Sequence, residues 1–286
     1  MRDIASLVRE ELALPVDPRV AAMAAAIAAR YPGSARAVLF YGSCLRETQL
    51  DGLMLDFYLI VSDYGDAYPK RWMAFANRLI PPNVFPFQAG GLMAKYAVLS
   101  ESDFHRLNGP ETRNVSVWAR FAQPSRLVWA VDDTARDKAA AVVARAAPTL
   151  LAAAGRLGGE SILDWWRRAF SLTYSVELRA ERASRAQSVV DADPDRYRDF
   201  GEAAAAAIPV GAPSGGWTRR RIEGKALSIV RLAKASLTYA GGIDYLAWKI
   251  NRHAGTKIEI KPWQRRWPLL AALTLVPRLM RSGAIR

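Results

Sequence analysis

The sequence predicts an α/β (α+β) fold. A mixed sheet in residues 1–135 is followed by a mostly helical unit over 136–258 and a basic amphipathic C-terminal segment over 259–286. Three observations point there. Short apolar runs bounded by Gly and Pro turns alternate with helical stretches up to about residue 135. From Asp137 to Arg156 alanine dominates and the period turns helical. Of a formal charge of +13, a net +11 lies in residues 201–286, which hold 15 Lys/Arg against 4 Asp/Glu.

The elements follow in order. Residues 19–30 (RVAAMAAAIAAR) form a helix stopped at Pro32–Gly33, and Ala37–Tyr41 (AVLFY) is a buried strand. Gly42–Ser43 breaks that strand before Leu53–Val61 (LMLDFYLIV) begins another. Its alternation puts Leu55, Phe57, Leu59 and Val61 on one face and Met54, Asp56, Tyr58 and Ile60 on the other. A helix over 70–79 ends at Pro81–Pro82, and Met93–Leu99 (MAKYAVL) is a strand after Gly90–Gly91. Short helices over 103–106 and 118–121 and a strand at Val128–Val131 complete the α/β unit. Beyond it, helices are expected over 160–187, 195–208, 222–238 and 241–253, with Pro209–Gly216 as a loop.

At 286 residues, 51% of them hydrophobic, the chain can bury a sizeable core and suits two packed units. Cys44 is the only cysteine, so an intrachain disulfide framework and a multi-cysteine zinc site are excluded, and a reducing cytosol fits best. Met1–Glu11 has no apolar stretch of the kind a signal peptide needs. Ala- and Arg-rich usage is compatible with a bacterial source. The basic last third is expected to meet an anionic surface, and charge alone does not choose between nucleic acid and lipid. Trp267–Met280 (WPLLAALTLVPRLM) is shorter than the ~20 residues of a bilayer span. With Arg265, Arg266, Arg278, Arg281 and Arg286 around it, it fits an in-plane anchor, or alternatively a helix docked on the protein's own core.

The chemistry concentrates at Gly42, Ser43 and Asp56. A Gly-Ser turn opening a helix lets backbone N–H groups and a hydroxyl approach a triphosphate. An acid on the adjoining strand can hold the metal that offsets phosphate charge. An aspartate inside LMLDFYLIV needs such a reason, because a buried unpaired charge costs several kcal/mol. The alternative is that Asp56 pairs with a buried Arg or Lys. Together these residues predict a nucleotidyltransferase (polymerase-beta-like) domain. Most such enzymes carry two acids at i and i+2 on this strand, whereas here the second position is Tyr58. That disfavours antibiotic-modifying and tRNA-nucleotidyl enzymes.

YGSCLRE followed by MLDFYLIVSD resembles the mitochondrial-type phosphatidate cytidylyltransferases, the CDP-diacylglycerol synthases, which carry a YGSG turn and a single strand acid. In the same order Lys95–Ser100 (KYAVLS), Ala119–Pro124 (ARFAQP), Leu172–Arg179 (LTYSVELR) and Val230–Gly241 (VRLAKASLTYAG) resemble further family segments, spanning roughly 37–250. Two departures stand out: Cys44 replaces a glycine of the turn, and DAYPKR at 66–71 replaces the family's Trp-His pair.

The resemblance implies a Mg²⁺-dependent enzyme joining CTP to phosphatidic acid, giving CDP-diacylglycerol and pyrophosphate. It would lie peripherally on the cytoplasmic face of the inner membrane, with no nucleic-acid partner. Tyr41, Gly42 and Ser43 would contact the triphosphate and Asp56 would ligate Mg²⁺. Asp51 is the leading second ligand, with Glu47 and Glu177 as alternatives. Lys95, alternating with apolar neighbours, suits a charge aimed at a phosphate, although a solvent-facing edge lysine has the same pattern. Arg120 and Arg179 match family arginines, and Arg231 and Lys234, one helical turn apart, can present two cations to one phosphate. Asn77 and Asn83 fall where the family has asparagines. Two other expectations remain open: a non-catalytic scaffold binding anionic lipid or nucleic acid, and a soluble nucleotidyltransferase with another acceptor.

Overall fold

The computed structural model describes residues 2–46, 49–176, 185–238 and 261–262. It is a mixed α/β structure around a five-stranded sheet. The strands are β1 (Ala35–Tyr41), β2 (Met54–Val61), β3 (Asn83–Ala89), β4 (Leu92–Ser100) and β5 (Ser125–Ala130), in the order β3-β4-β2-β1-β5. β1 pairs antiparallel with β2 and with β5, and β3 pairs antiparallel with β4. β2 and β4 run parallel, joined through α3 (Tyr64–Ala67), α4 (Arg71–Leu79) and the edge strand β3. That crossover aligns Asp56 with Lys95 and Tyr58 with Ala97.

The alternation on β2 holds. Leu55, Phe57, Leu59 and Val61 join Tyr96 and Val98 in a core closed by α2 (Pro18–Ala29), which contributes Val20, Met23, Ala24 and Ile27, and by Ala74 of α4. Tyr58 and Ile60 face the other way, with Tyr41, Ala97 and Leu99. This second face is covered by α1 (Ile4–Leu12), α5 (Glu101–Leu107), α6 (Trp118–Phe121) and α7 (Asp133–Val143). Its core continues without interruption into α8 (Ala146–Ala154), α9 (Ile162–Tyr174), α10 (Arg185–Asp191) and α11 (Pro194–Ala206), where Trp166, Phe170 and Tyr197 pack ring against ring.

The last described helix, α12 (Trp217–Thr238), crosses back to the sheet. A side chain at Gly224 would bring Cβ within 2.7 Å of the Val176 carbonyl oxygen, so glycine permits this close approach of α12 to the end of α9. Trp217 donates its indole N–H to the Ala153 carbonyl at 3.1 Å, and Arg220 reaches the carbonyls of Thr112 and Arg113.

Several elements differ from the sequence reading. Residues 83–89 form β3 despite Pro86, which is possible because β3 is a sheet edge and a proline there forfeits little pairing. Residues 4–12 form a helix with Ile4, Leu7, Val8 and Leu12 buried, capped by the Asp3 carboxylate accepting from the Ser6 N–H. The expected helix over 137–156 is two helices broken at Ala144–Arg145, and the helix expected over 160–187 ends at Tyr174. The helix expected over 241–253 and the segment Trp267–Met280 lie outside the described residues. No helix among the described residues is long and apolar enough to cross a membrane.

Candidate functional site

Two side chains on neighbouring strands form the nucleus of the site. Asp56 of β2 and Lys95 of β4 share a parallel register position, and Lys95 Nζ lies 3.0 Å from Asp56 Oδ1. Each side chain keeps about a quarter of its surface exposed, at 23% for Asp56 and 25% for Lys95. Oδ1 itself is shut off from solvent, and the contact with Lys95 is an ion pair without the alignment of a hydrogen bond. That oxygen therefore retains acceptor capacity.

The other oxygen faces the turn after β1. Gly42 has φ +97°, a conformation side chains rarely adopt, and a Cβ placed there would sit 3.3 Å from Asp56 Oδ2. The Asp56 carboxylate thus lies between the Lys95 ammonium and the Gly42–Ser43 bend. Gly42 and Ser43 are exposed, and Ser43 begins a single 3-10 turn, Ser43–Arg46. The turn is anchored by Cys44, buried beneath it with its thiol toward the Met54 carbonyl at 3.5 Å.

A burial gradient explains why the pair remains accessible. On the face carrying Asp56, residues 58 and 60 of β2 and 97 and 99 of β4 are buried, whereas 54 and 56 are half-buried, Lys95 is half-buried and Met93 is 50% exposed. Among the described residues helical cover stops short of this end of the sheet. At its margin Tyr41 packs on Tyr58 with ring centroids 5.1 Å apart and planes tilted by 40°, both against Phe121, and the Arg120 guanidinium lies 5.6 Å over the Tyr41 ring. Tyr41 and Arg120 consequently border the same corner of the sheet as Asp56, its register partner across β1.

The remaining candidates lie elsewhere. Asp51 is 64% exposed and pairs with Arg19 at 3.4 Å, at the start of the helix that covers the opposite sheet face. Arg231 donates to the Pro81 carbonyl at 2.6 and 3.0 Å and to Ser116 Oγ at 2.9 Å. Lys234 donates to the carbonyls of Ile80 and Pro82, the latter at 2.8 Å. The two cations do share one target, as their spacing anticipates, but it is the backbone between α4 and β3, which they clamp to α12. Burial, reinforced by the neighbouring Arg231 charge, pushes the Lys234 ammonium down to about 7.

Asn77 and Asn83 are fully buried and brace the same junction. Asn77 donates to the Val98 carbonyl at 3.0 Å and accepts from the Asn83 N–H, while Asn83 donates to the Met73 carbonyl at 3.2 Å. Arg179, Glu47 and Glu177 fall outside the described residues. A basic partner for Asp56 is the alternative that the sequence held open, and the structure supplies one, half-buried rather than enclosed; that the partner is Lys95 was not legible, since the signal for it lies in strand register, which needs the length and path of the crossover.

Among the described residues no three His, Cys, Asp or Glu side chains converge as a metal-binding group. A magnesium ion nevertheless commonly uses one or two carboxylates, completing its shell with waters and substrate phosphates. Asp56, with Oδ2 beside the exposed Gly42–Ser43 turn and unused acceptor capacity on Oδ1, fits that donor set. No protein-family model matches the chain, and no curated protein matches it.

Proposed function

We propose that the protein is a nucleotidyltransferase of polymerase-beta-like fold that transfers the cytidylyl group of CTP to phosphatidic acid at a membrane surface, yielding CDP-diacylglycerol and pyrophosphate. One observation carries the reading: a half-buried carboxylate and an ammonium meet beside an exposed Gly-Ser bend, at the end of the sheet that no described helix covers. The resemblance of the segments from Tyr41 to Gly241 to the phosphatidate cytidylyltransferases supplies the substrates.

In this reading Asp56 would hold Mg²⁺, which would offset charge on the triphosphate and leaving pyrophosphate. Gly42 and Ser43 offer backbone N–H groups and a hydroxyl to the phosphates. Lys95 keeps the carboxylate oriented and supplies a positive charge at the same point. Arg120, beside Tyr41, adds a second cation. A phosphate oxygen of phosphatidic acid attacks the α-phosphorus of CTP, forming the new P–O bond as the bond to pyrophosphate breaks. A phosphate monoester is largely ionised near neutral pH, so the step needs no strong general base. Orientation and electrostatic stabilisation supply the rate.

A second reading, a nucleotidyltransferase-like scaffold without catalysis, draws on the ion pair: Lys95 neutralises the acid from within. One experiment separates the two. Purified protein in mixed micelles is given labelled CTP, phosphatidic acid and Mg²⁺, with Asp56→Ala in parallel. Label entering the lipid with wild type but not with the variant supports the enzyme. Well-folded wild type that leaves the lipid unlabelled refutes it. A soluble enzyme with another acceptor would turn over CTP without lipid and stay active after deletion of residues 262–286.

A further inference from the structure

Of the eleven large apolar side chains most exposed among the described residues, six sit on two helices, α4 and α12. Trp72, Phe75 and Leu79 of α4 are 50%, 66% and 66% exposed and recur at i, i+3 and i+7, while Ala74 and Asn77 turn inward. On α12, Ile222 and Ile229 are one heptad apart on its outer face, with Val230 beside them. The helices are tied together at one end, because Arg231 and Lys234 of α12 grip the carbonyls of residues 80–82, directly after Leu79.

The charge around the patch is basic. Lys70 and Arg71 are exposed at the start of α4, and Arg221 and Lys225 are exposed along α12. Nearby acids are largely engaged already: Asp63 by Arg78, Glu223 by Arg113 and Arg219, and Asp66 by the Ser62 hydroxyl. Apolar stripes edged by Lys and Arg, with a tryptophan among them, are the composition of a helix lying in the interface of an anionic bilayer. We propose that the outer faces of α4 and α12 together form a docking surface for an anionic lipid bilayer. This surface involves other residues than the basic segment over 259–286, and the inference stands apart from the chemistry at Asp56.

The test uses the full chain with Cys44→Ser and a single new cysteine, Phe75→Cys or Ile229→Cys, carrying a polarity-sensitive fluorophore. Vesicles of phosphatidylcholine alone are compared with vesicles containing phosphatidate or phosphatidylglycerol. Both labels are expected to shift to the blue and to be quenched by brominated acyl chains with either anionic vesicle and not with the neutral one. In sedimentation, Trp72→Ser/Phe75→Ser/Leu79→Ser should bind anionic vesicles about tenfold more weakly than wild type while keeping its circular dichroism. Vesicle binding with both labels silent would overturn the proposal in favour of the C-terminal segment. A concentration-dependent blue shift without lipid would overturn it in favour of a second copy of the chain, and a response confined to phosphatidate in favour of headgroup recognition.

Discussion

Breaking the Asp56–Lys95 pair from either side should have unequal effects, and the inequality distinguishes a functional acid from a structural one. At 3.0 Å the Coulomb attraction is about 1.4 kcal/mol in bulk water and about 5.5 kcal/mol at an effective dielectric of about 20. Both side chains keep a quarter of their surface in solvent, so screening and desolvation reduce the net coupling to roughly 1–3 kcal/mol. Lys95→Met strands a carboxylate whose Oδ1 is already closed to water and should cost about 2 kcal/mol. Asp56→Asn leaves the flexible lysine free to swing to solvent and should cost about 1 kcal/mol or less. The double variant should recover most of the loss, since no charge is then left without its partner. Urea denaturation followed by circular dichroism reads this cycle: with a slope of about 3 kcal/mol per M, 2 kcal/mol moves the midpoint by about 0.7 M. CTP turnover measured on the same four proteins should be lost in every variant lacking Asp56, however stable it is. A coupling energy near zero, or an Asp56→Asn protein with wild-type turnover, would rule out Asp56 as a functional acid held by Lys95.

Other consequences are equally open to measurement. Gly42→Ala forces a side chain into φ +97° with its Cβ against Asp56 Oδ2, so a loss of about 1–3 kcal/mol is expected in thermal denaturation, together with weaker CTP binding by calorimetry. Glu11→Gln should destabilise by about 3–5 kcal/mol in urea, because Glu11 and Arg196 are a buried pair joining α1 to α11, and Arg196 would be left charged without its partner. Lys234 titrates near 7 when folded and near 10.5 when unfolded, so the unfolded chain binds more protons between those values and wild-type stability should rise with pH across that window. In Lys234→Met this part of the rise should vanish when urea midpoints at pH 7 and pH 9 are compared.

How far the site could be read from sequence depended on the range of the signal. The two-face alternation of β2 was legible because its period is local, and it correctly separated Asp56 and Tyr58 from Leu55, Phe57 and Leu59. The same period separated Lys95 from Tyr96, which is buried on the other face beside Tyr31. What alternation does not contain is which strand lies alongside. The position of β3 at the edge, and the crossover that sets Asp56 against Lys95, depend on contacts tens of residues apart. Arg231 and Lys234 illustrate the converse: their spacing revealed that they act as a pair, but the cis Pro81–Pro82 turn that receives them has no local counterpart in the α12 sequence. The strand over 83–89 went without an expectation for a related reason: its pairing is with β4 alone, and Pro86 is tolerated there because the other edge is unpaired.

The end of the sheet at which the pair sits also limits what it can be for. A charged pair placed for stability would gain most under full helical cover, where Tyr58, Ile60, Ala97 and Leu99 are buried, because attraction strengthens as solvent is excluded. Yet in such cores an apolar pair of similar volume usually serves as well or better. Asp56 and Lys95 instead occupy the first positions on that face where burial gives way to solvent, one step from an exposed turn whose glycine admits the carboxylate. There the pair gains little for the fold, while remaining ordered enough to meet a ligand and open enough to exchange partners with it. Replacing both residues by Leu and Met should therefore leave the protein at least as stable as wild type in urea. Such a gain, with loss of CTP turnover, would show the charges to be retained for chemistry, whereas a large destabilisation would show that the sheet depends on them.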